Sequence, residues 1–366
     1  MTPYLFVFFI SSLCCFFAYL FKKKKSVFIF FSLISIILPS LLSGFRDTSV
    51  GIDVDLYGVR VFEQSAYLRS FADVFNYSKD YGVELFYVII NVIVQLFSNN
   101  IFWLFFIQQV FALSIVSITC YRMKEKINAP LLFTIYLLYY FCLSMCHLRQ
   151  MFAVAIALLA FSFLIEKKWK VYIILLLVGF FFHKSILFLL ILLPLNLITE
   201  REQSVKKRYF FLIFIMGSVM YFFFPMILAA MVASGVMDTK YMLYASQEGN
   251  QVHKIDFLIT LCLFLFSFIR ERYYFKNNIK VLCILIIFVL LCGVYNDVAT
   301  RIAYYLNFYL FLFILMLSYN GKFKLNKKEC IFLCMILIQF LYLGITSGFS
   351  RVIPYTSKVL GLIDYW

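Results

Sequence analysis

The sequence predicts an all-α protein whose helices form a polytopic transmembrane bundle. Hydrophobic residues make up 64% of the 366 residues and charged residues only 14%, whereas soluble domains are about half apolar and a quarter charged. Mean hydropathy is +0.94. Apolar runs recur from end to end, which argues against a soluble domain with a single membrane anchor. We therefore treat residues 1–366 as a single integral membrane domain.

The apolar runs predict the helices, which cross the membrane about a dozen times. The first run has no basic region before it and no small-residue cleavage site, so we expect a retained helix rather than a signal peptide. Several runs are shorter than the roughly 20 residues of a straight span, and these borrow flanking residues, break or re-enter. In chain order the runs cover residues 4–21, 26–43, 84–97, 101–121, 129–145, 150–165, 171–182, 185–197, 209–233, 255–269, 279–295, 302–319 and 330–345.

Residues 44–83 form the longest polar stretch of the first third. We expect an external loop with a short amphipathic helix near residues 61–77 that lies at the membrane interface. Gly51 allows the backbone of this loop to turn. Its aspartates could simply cap the following helix, or they could form one wall of an active site.

The net charge of +15 arises mainly from loops on one side. From Arg122 onward every second loop is basic, and basic loops remain in the cytoplasm. This distribution explains the charge without nucleic acid, which we do not expect as a partner. The clusters lie at residues 22–25, 122–126, 167–170, 201–208, 270–280 and 322–328.

The first third of the chain allows two arrangements. If residues 22–25 are cytoplasmic, the polar region is external and one later segment fails to cross, for which the short run 84–97 is our choice as a re-entrant segment. The opposite arrangement makes the polar region cytoplasmic and gives the same count of basic residues inside. We prefer the first, because four adjacent lysines are a strong local signal and because it places the polar residues on one face.

Ionisable residues at the edges of apolar segments are candidates for function, because they are costly to desolvate. Arg149 separates two apolar runs, where it could also be a snorkelling arginine. His183 interrupts an apolar stretch, where it could also end a helix. Asp297 and Arg301 are four residues apart and could form a structural ion pair. With Arg46 these residues include three arginines, which favour bidentate binding of phosphate oxygens.

Metal binding is not predicted. The ten cysteines show no ligand spacing and lie in apolar runs, so we expect neither disulfides nor zinc. Asp53 and Asp55 have the Asp-x-Asp spacing of soluble nucleotide-sugar transferases, but helix capping is favoured here because an external site has no nucleotide sugar to bind. His147 is interpreted as an interfacial polar residue.

Several motifs together resemble the EpsG family of polysaccharide polymerases, which is related to the Wzy O-antigen and capsule polymerases. Residues 46–57 follow the pattern Arg-x3-Val-Gly-x-Asp-x3-Tyr, from Arg46 through Gly51 and Asp53 to Tyr57. Arg149-Gln150 resembles an Arg-Gln element of the family. His183 and Ser185 fit its His-x-Ser element, Glu84 corresponds to an acid after the first polar loop, and Arg301 with Tyr304 and Tyr305 corresponds to a late Arg-aromatic element.

The resemblance implies an integral membrane glycosyltransferase with a GT-C-like fold. It would join undecaprenyl-diphosphate-linked repeat units at the outer face of the bacterial inner membrane. The expected partners are the lipid-linked oligosaccharide donor and acceptor and membrane lipids, with a chain-length regulator and a flippase as further candidates. No cofactor is expected.

The reaction assigns roles to these residues. A leaving diphosphate needs fixed cations, for which we assign Arg46, Arg149 and Arg301, and these cations make a metal unnecessary. The acceptor hydroxyl needs a base, either His183 or Asp53, with a preference for His183. The other predicted substrate contacts are Gly51, Tyr57, Glu84, Gln150, Ser185 and Asp297. Inversion is expected, because no nucleophile for a covalent intermediate stands out.

Three other functions remain open at this point. A membrane O-acyltransferase that modifies surface polysaccharide would also show a lone histidine and arginines. A flippase would line a cavity from side to side with cations, whereas here they gather on one face. A ligase that transfers finished glycan to another carrier is chemically close to a polymerase.

Overall fold

The computed structural model describes residues 1–193, 207–234, 276–292, 297–321 and 325–362. Its described part is helical and contains no named strand, which confirms the predicted fold class. Seven helices in these ranges are long and apolar enough to cross a membrane. The predicted segment 255–269 and the basic clusters 201–206 and 270–275 lie outside the described residues.

The helices are numbered in chain order. In the first half they are α1 (Thr2–Leu20), α2 (Lys25–Gly44), α3 (Arg60–Ser65), α4 (Phe71–Tyr81), α5 (Leu85–Phe97), α6 (Ile101–Met123), α7 (Ala129–Cys146), α8 (Leu148–Ile165) and α9 (Trp169–Phe180). The second half has α10 (Lys207–Ala233), α11 (Lys276–Cys292), α12 (Asp297–Ser318) and α13 (Lys327–Thr346). A π-helical segment (Val54–Val59) precedes α3, and a 3-10 segment (Lys184–Ile191) follows α9.

The chain divides into two compact units. The first comprises Met1–Leu187 and Ser318–Trp366, and the second comprises Phe188–Leu317. In the second unit, α10 packs against α11. In the first unit, α7 and α8 form the centre, because their apolar residues surround the helix on every side and are buried over most of their length. Helices α1, α6 and α13 pack around α7, while α6 and α9 pack on α8.

The basic turns of the first unit gather at one end of the bundle, which we call the basic end. Lys22, between α1 and α2, lies 3.6 Å from Glu125 after α6. Arg122 of α6 lies 2.9 Å from Glu166 after α8. The opposite end, where α2 and α7 finish and α8 begins, is called the site end.

Helix α5 does not cross the bundle, as expected for the re-entrant segment. It has 13 residues, too few for a straight span. Glu84, immediately before it, pairs with Arg149 at the start of α8. Phe102, shortly after it, packs on Phe45 after α2 with ring centroids 4.7 Å apart. Both ends of α5 therefore lie at the site end, which explains how the turns containing Lys22 and Arg122 reach the same side.

The amphipathic helix predicted near residues 61–77 is in fact two helices, so that prediction is wrong in detail. Helix α3 ends at Ser65, and α4 begins after Ser70. The Ser70 side chain accepts from the Asp73 backbone N–H, while the Asp73 carboxylate accepts from the Ser70 backbone N–H. This reciprocal capping box specifies a new helix start in the middle of the apolar pattern.

Candidate active site at one end of the bundle

The polar loop, residues 46–57, rests on the C-terminal segment of the chain. Its backbone N–H groups at Asp47, Gly51 and Ile52 donate to the carbonyls of Thr356, Arg351 and Ser350 at 3.0–3.1 Å. The supporting backbone is left-handed at Phe349 and Ser350, with φ of 48° and 58°. Such residues cost about 1–2 kcal/mol each. The segment after α13 therefore holds the loop in place despite local backbone strain.

Gly51 makes the turn that the sequence predicts. Its φ is +107°, a conformation that glycine tolerates far better than other residues. A Cβ atom here would lie 2.6 Å from the carbonyl oxygen of Met145. Glycine therefore lets the polar loop lie directly against the C-terminal end of α7.

Arg46 is buried, with only 4% of its surface exposed. Its Nη1 donates to the Met145 carbonyl at 2.7 Å, and its guanidinium lies over the Phe105 ring at 4.0 Å. Among the described residues, its Nε and Nη2 have no hydrogen-bond partner. Burial lowers the pKa of Arg46 to about 10, which still leaves it charged at neutral pH. Arg46 is thus a buried cation that has no carboxylate partner in the part of the chain described. Its charge would favour the binding of an anion nearby.

Arg149 is held between a carboxylate and an aromatic ring. It forms an ion pair with Glu84, and its guanidinium lies 3.7 Å from the centroid of the Tyr57 ring. The Tyr57 carbonyl in turn accepts from the Tyr87 hydroxyl at 2.7 Å. The side chains of Arg149 and Glu84 are 13% and 9% exposed, so the cation is fixed at the rim of the bundle with little freedom. The predicted residues Tyr57, Glu84 and Arg149 therefore belong to one cluster.

His183 lies on a segment that packs beside this cluster. Its Nδ1 is 2.7 Å from the Ser185 hydroxyl, which fixes the ring. The preceding residue, Phe182, stacks on Phe152 with centroids 5.0 Å apart, one helical turn after Arg149 in α8. The His-x-Ser element is thus anchored at the site end by aromatic packing.

Asp53 does not cap the π-helical segment, because its side chain makes no cap hydrogen bond there. Its Oδ2 instead lies 3.4 Å from His147 Nδ1. The same nitrogen lies 3.9 Å from Cys146 Sγ. Asp55 is exposed and is not part of this group, so the two carboxylates of the Asp-x-Asp spacing do not converge.

The remaining predicted contacts are less informative. Gln150 is buried, with 2% exposed. Arg301 lies on α12 in the second unit, where Asp297 is the first residue of that helix. Their assignment to the substrate site stays a prediction.

Sequence reasoning missed two parts of this site. His147 was interpreted as an interfacial residue, yet it contacts Asp53, 94 positions earlier. The C-terminal segment was given no role in the site, but Tyr355 donates to the Leu42 carbonyl at 2.8 Å and Ser357 donates to the Phe45 carbonyl. The turn residues Gly348 and Pro354 were a usable signal that this segment is a folded support rather than a helix end.

A helical bundle with buried cations and carboxylates gathered at one end defines the class: an integral membrane protein with a polar site at the edge of its apolar core. A scan against protein families matches residues 29–357 to the EpsG family. The chain therefore belongs to the EpsG family, which is associated with polysaccharide biosynthesis. Comparisons with curated proteins and with solved structures find no match.

Proposed function

We propose that this protein is a polysaccharide polymerase that joins undecaprenyl-diphosphate-linked oligosaccharide repeat units at the outer face of the bacterial inner membrane. The observation that carries the proposal is the fixed guanidinium of Arg149, held between Glu84 and the Tyr57 ring. A prepositioned arginine at the edge of an apolar bundle suits a substrate with an anionic head and a lipid tail.

The reaction needs a cation where negative charge develops. The acceptor hydroxyl oxygen attacks the anomeric carbon of the donor sugar, and the bond from that carbon to the diphosphate oxygen breaks. The diphosphate leaves with the bonding electrons, and Arg149 and Arg46 stabilise it. Because these guanidinium groups neutralise the leaving group, this step needs no metal at the diphosphate.

The hydroxyl proton passes to a base, for which we propose His183. Its Nδ1 is engaged by Ser185, and the neutral imidazole can accept a proton. Asp53 is the other candidate base. Attack opposite the leaving diphosphate gives an inverted product, with the growing chain transferred to the non-reducing end of the new lipid-linked repeat.

Proteoliposomes containing the purified protein and a lipid-linked repeat unit test this function. The proposal predicts a ladder of products that differ by whole repeats. If the native lipid-linked repeat is supplied and only the unchanged single repeat is recovered, the proposed polymerase function is wrong. Parallel reactions with a labelled acetyl donor and with a non-identical lipid acceptor identify an acyltransferase or a ligase instead.

A further inference from the structure

We propose that Asp53, Cys146 and His147 bind one divalent transition-metal ion, with Zn²⁺ the best match. This inference does not rest on the polymerase activity. No metal site was predicted from the sequence. Ligand spacing could not reveal one, because two ligands lie at the α7–α8 junction and the third lies in a loop 93 positions before Cys146.

The geometry of the three side chains supports a common centre. One ligand atom of each residue lies within 4.8 Å of the other two. The Nδ1–Oδ2 distance is 3.4 Å and the Nδ1–Sγ distance is 3.9 Å. Tetrahedral zinc bonds place nitrogen and oxygen ligands about 3.4 Å apart and nitrogen and sulfur ligands about 3.6 Å apart. The nitrogen–oxygen edge already has this length, and the nitrogen–sulfur edge needs to contract by about 0.3 Å.

The way the contacts converge argues against a hydrolytic triad. In a nucleophile–histidine–carboxylate triad, the nucleophile and the carboxylate contact different ring nitrogens. Here both Cys146 and Asp53 approach Nδ1 of His147. A single nitrogen cannot accept from the thiol and donate to the carboxylate at the same time, whereas one metal ion can satisfy all three atoms.

The surroundings hold these ligands firmly. The backbone N–H of His147 donates to the Leu143 carbonyl, and its own carbonyl accepts from Met151 at the start of α8. The close approach of Gly51 to Met145 fixes the loop that carries Asp53. His147 is 9% exposed, so water has little access to its ring.

The charges also match a divalent ion. A thiolate, a carboxylate and a neutral imidazole carry two negative charges, which one Zn²⁺ neutralises. Arg46 donates to the carbonyl of Met145, the residue before Cys146, and adds a fixed positive charge beside the ligands. On binding, the thiol proton is released to solvent, and the metal–sulfur bond forms. Thiolate and imidazole ligands favour zinc over magnesium or calcium.

Three protein ligands leave a fourth tetrahedral position open, as in catalytic rather than structural zinc sites. If Asp53 is a ligand, it is unavailable as the base, and His183 is then the remaining candidate for that role. The ion would then bind a substrate oxygen at the wall formed by the polar loop.

Cobalt binding tests the site without an activity assay. Purified protein without an affinity tag is stripped with chelator and titrated with Co²⁺. We expect about one equivalent to bind, with a thiolate-to-cobalt charge-transfer band and the absorption of a tetrahedral centre. Zn²⁺ should displace the cobalt and abolish both bands.

Matched variants assign the ligands. Cys146→Ser should remove the charge-transfer band, and His147→Gln should weaken binding at least about tenfold, since even loss of an outer partner has that effect. Cys142→Ser, a buried cysteine one turn earlier in α7, should bind cobalt like the wild type. A charge-transfer band that persists in Cys146→Ser, or wild-type binding no tighter than that of His147→Gln, would overturn the proposal. A failure of the wild-type protein to bind cobalt would overturn the metal site alone, because the product ladder tests the polymerase function separately.

Discussion

Two arginine–carboxylate–aromatic clusters occupy opposite ends of the first unit. At the basic end, Arg122 pairs with Glu166 at 2.9 Å and lies 3.7 Å from the centroid of the Phe163 ring. At the site end, Arg149 pairs with Glu84 and lies at the same distance from the Tyr57 ring. Similar local chemistry therefore occurs twice.

The surroundings of the two clusters differ. Glu166 is also contacted by Lys126 and Lys168, whose side chains are about half exposed. Burial opposes ionisation of Glu166, but the Lys168 hydrogen bond and the three neighbouring cations hold its pKa below the ordinary value. The site end instead has a less exposed pair. The comparison teaches that an arginine pair alone does not indicate a substrate site; its burial and neighbours do.

Apart from changes in the cluster of Arg149, Glu84 and Tyr57, the largest loss of activity is expected when Arg46 is replaced. Arg46→Met keeps much of the packing on Phe105 but removes the buried charge, so chain elongation should fall about 100-fold or more. The product ladder in proteoliposomes measures this. Arg60→Ala, an exposed arginine on α3, serves as the control. Wild-type elongation by Arg46→Met would make this residue a packing element only.

A smaller loss is expected from Gly51. Gly51→Ala places a methyl group against the Met145 carbonyl and shifts the polar loop, which should lower the elongation rate by roughly 10–100-fold. Gly321→Ala is the matched control, because Gly321 also has a positive φ, yet a Cβ there meets no atom within 4 Å. Equal losses in the two variants would mean that backbone strain, rather than the loop contact, limits activity.

Ser185→Ala tests whether the hydroxyl positions the His183 ring. The rate should fall about threefold to tenfold, below the roughly 100-fold or larger effect of removing a general base. The pH–rate profile is the discriminating readout, because a purely structural serine would lower the rate without moving the profile. An unchanged profile contradicts the positioning role.

The smallest effect belongs to the basic end. The folded state holds the pKa of Glu166 below its ordinary value, so its contribution to stability is present above the pKa of the unfolded chain and is lost as pH falls through the folded value. Glu166→Gln should therefore lower the unfolding temperature at pH 7 by about 1–2 °C, and the difference should vanish in acid. Elongation should be unchanged. A loss of elongation would remove the distinction between the two ends.

Local patterns predicted much of the bundle. The preferred arrangement, with residues 22–25 in the cytoplasm, predicted that one segment of the first third does not cross, and α5 has both ends at the site end. The prediction of one helix at residues 61–77 was wrong, because the capping interaction of Ser70 with Asp73 starts a new helix within the apolar pattern.

Long-range contacts could not be predicted from the sequence. His147 has its partner 94 positions away in Asp53, and no local periodicity records such a pairing. The same holds for the bond from Tyr355 to Leu42, 313 positions apart. Motif resemblance selected Arg149, Glu84 and Tyr57, but only the fold reveals that they form one cluster.

The most direct test of the central claim compares the two arginines in one assay. Arg149→Ala and Arg122→Ala are reconstituted at equal protein levels and supplied with the same lipid-linked repeat. The account predicts a full ladder from Arg122→Ala and only the single repeat from Arg149→Ala. A ladder of wild-type length from Arg149→Ala would contradict the account.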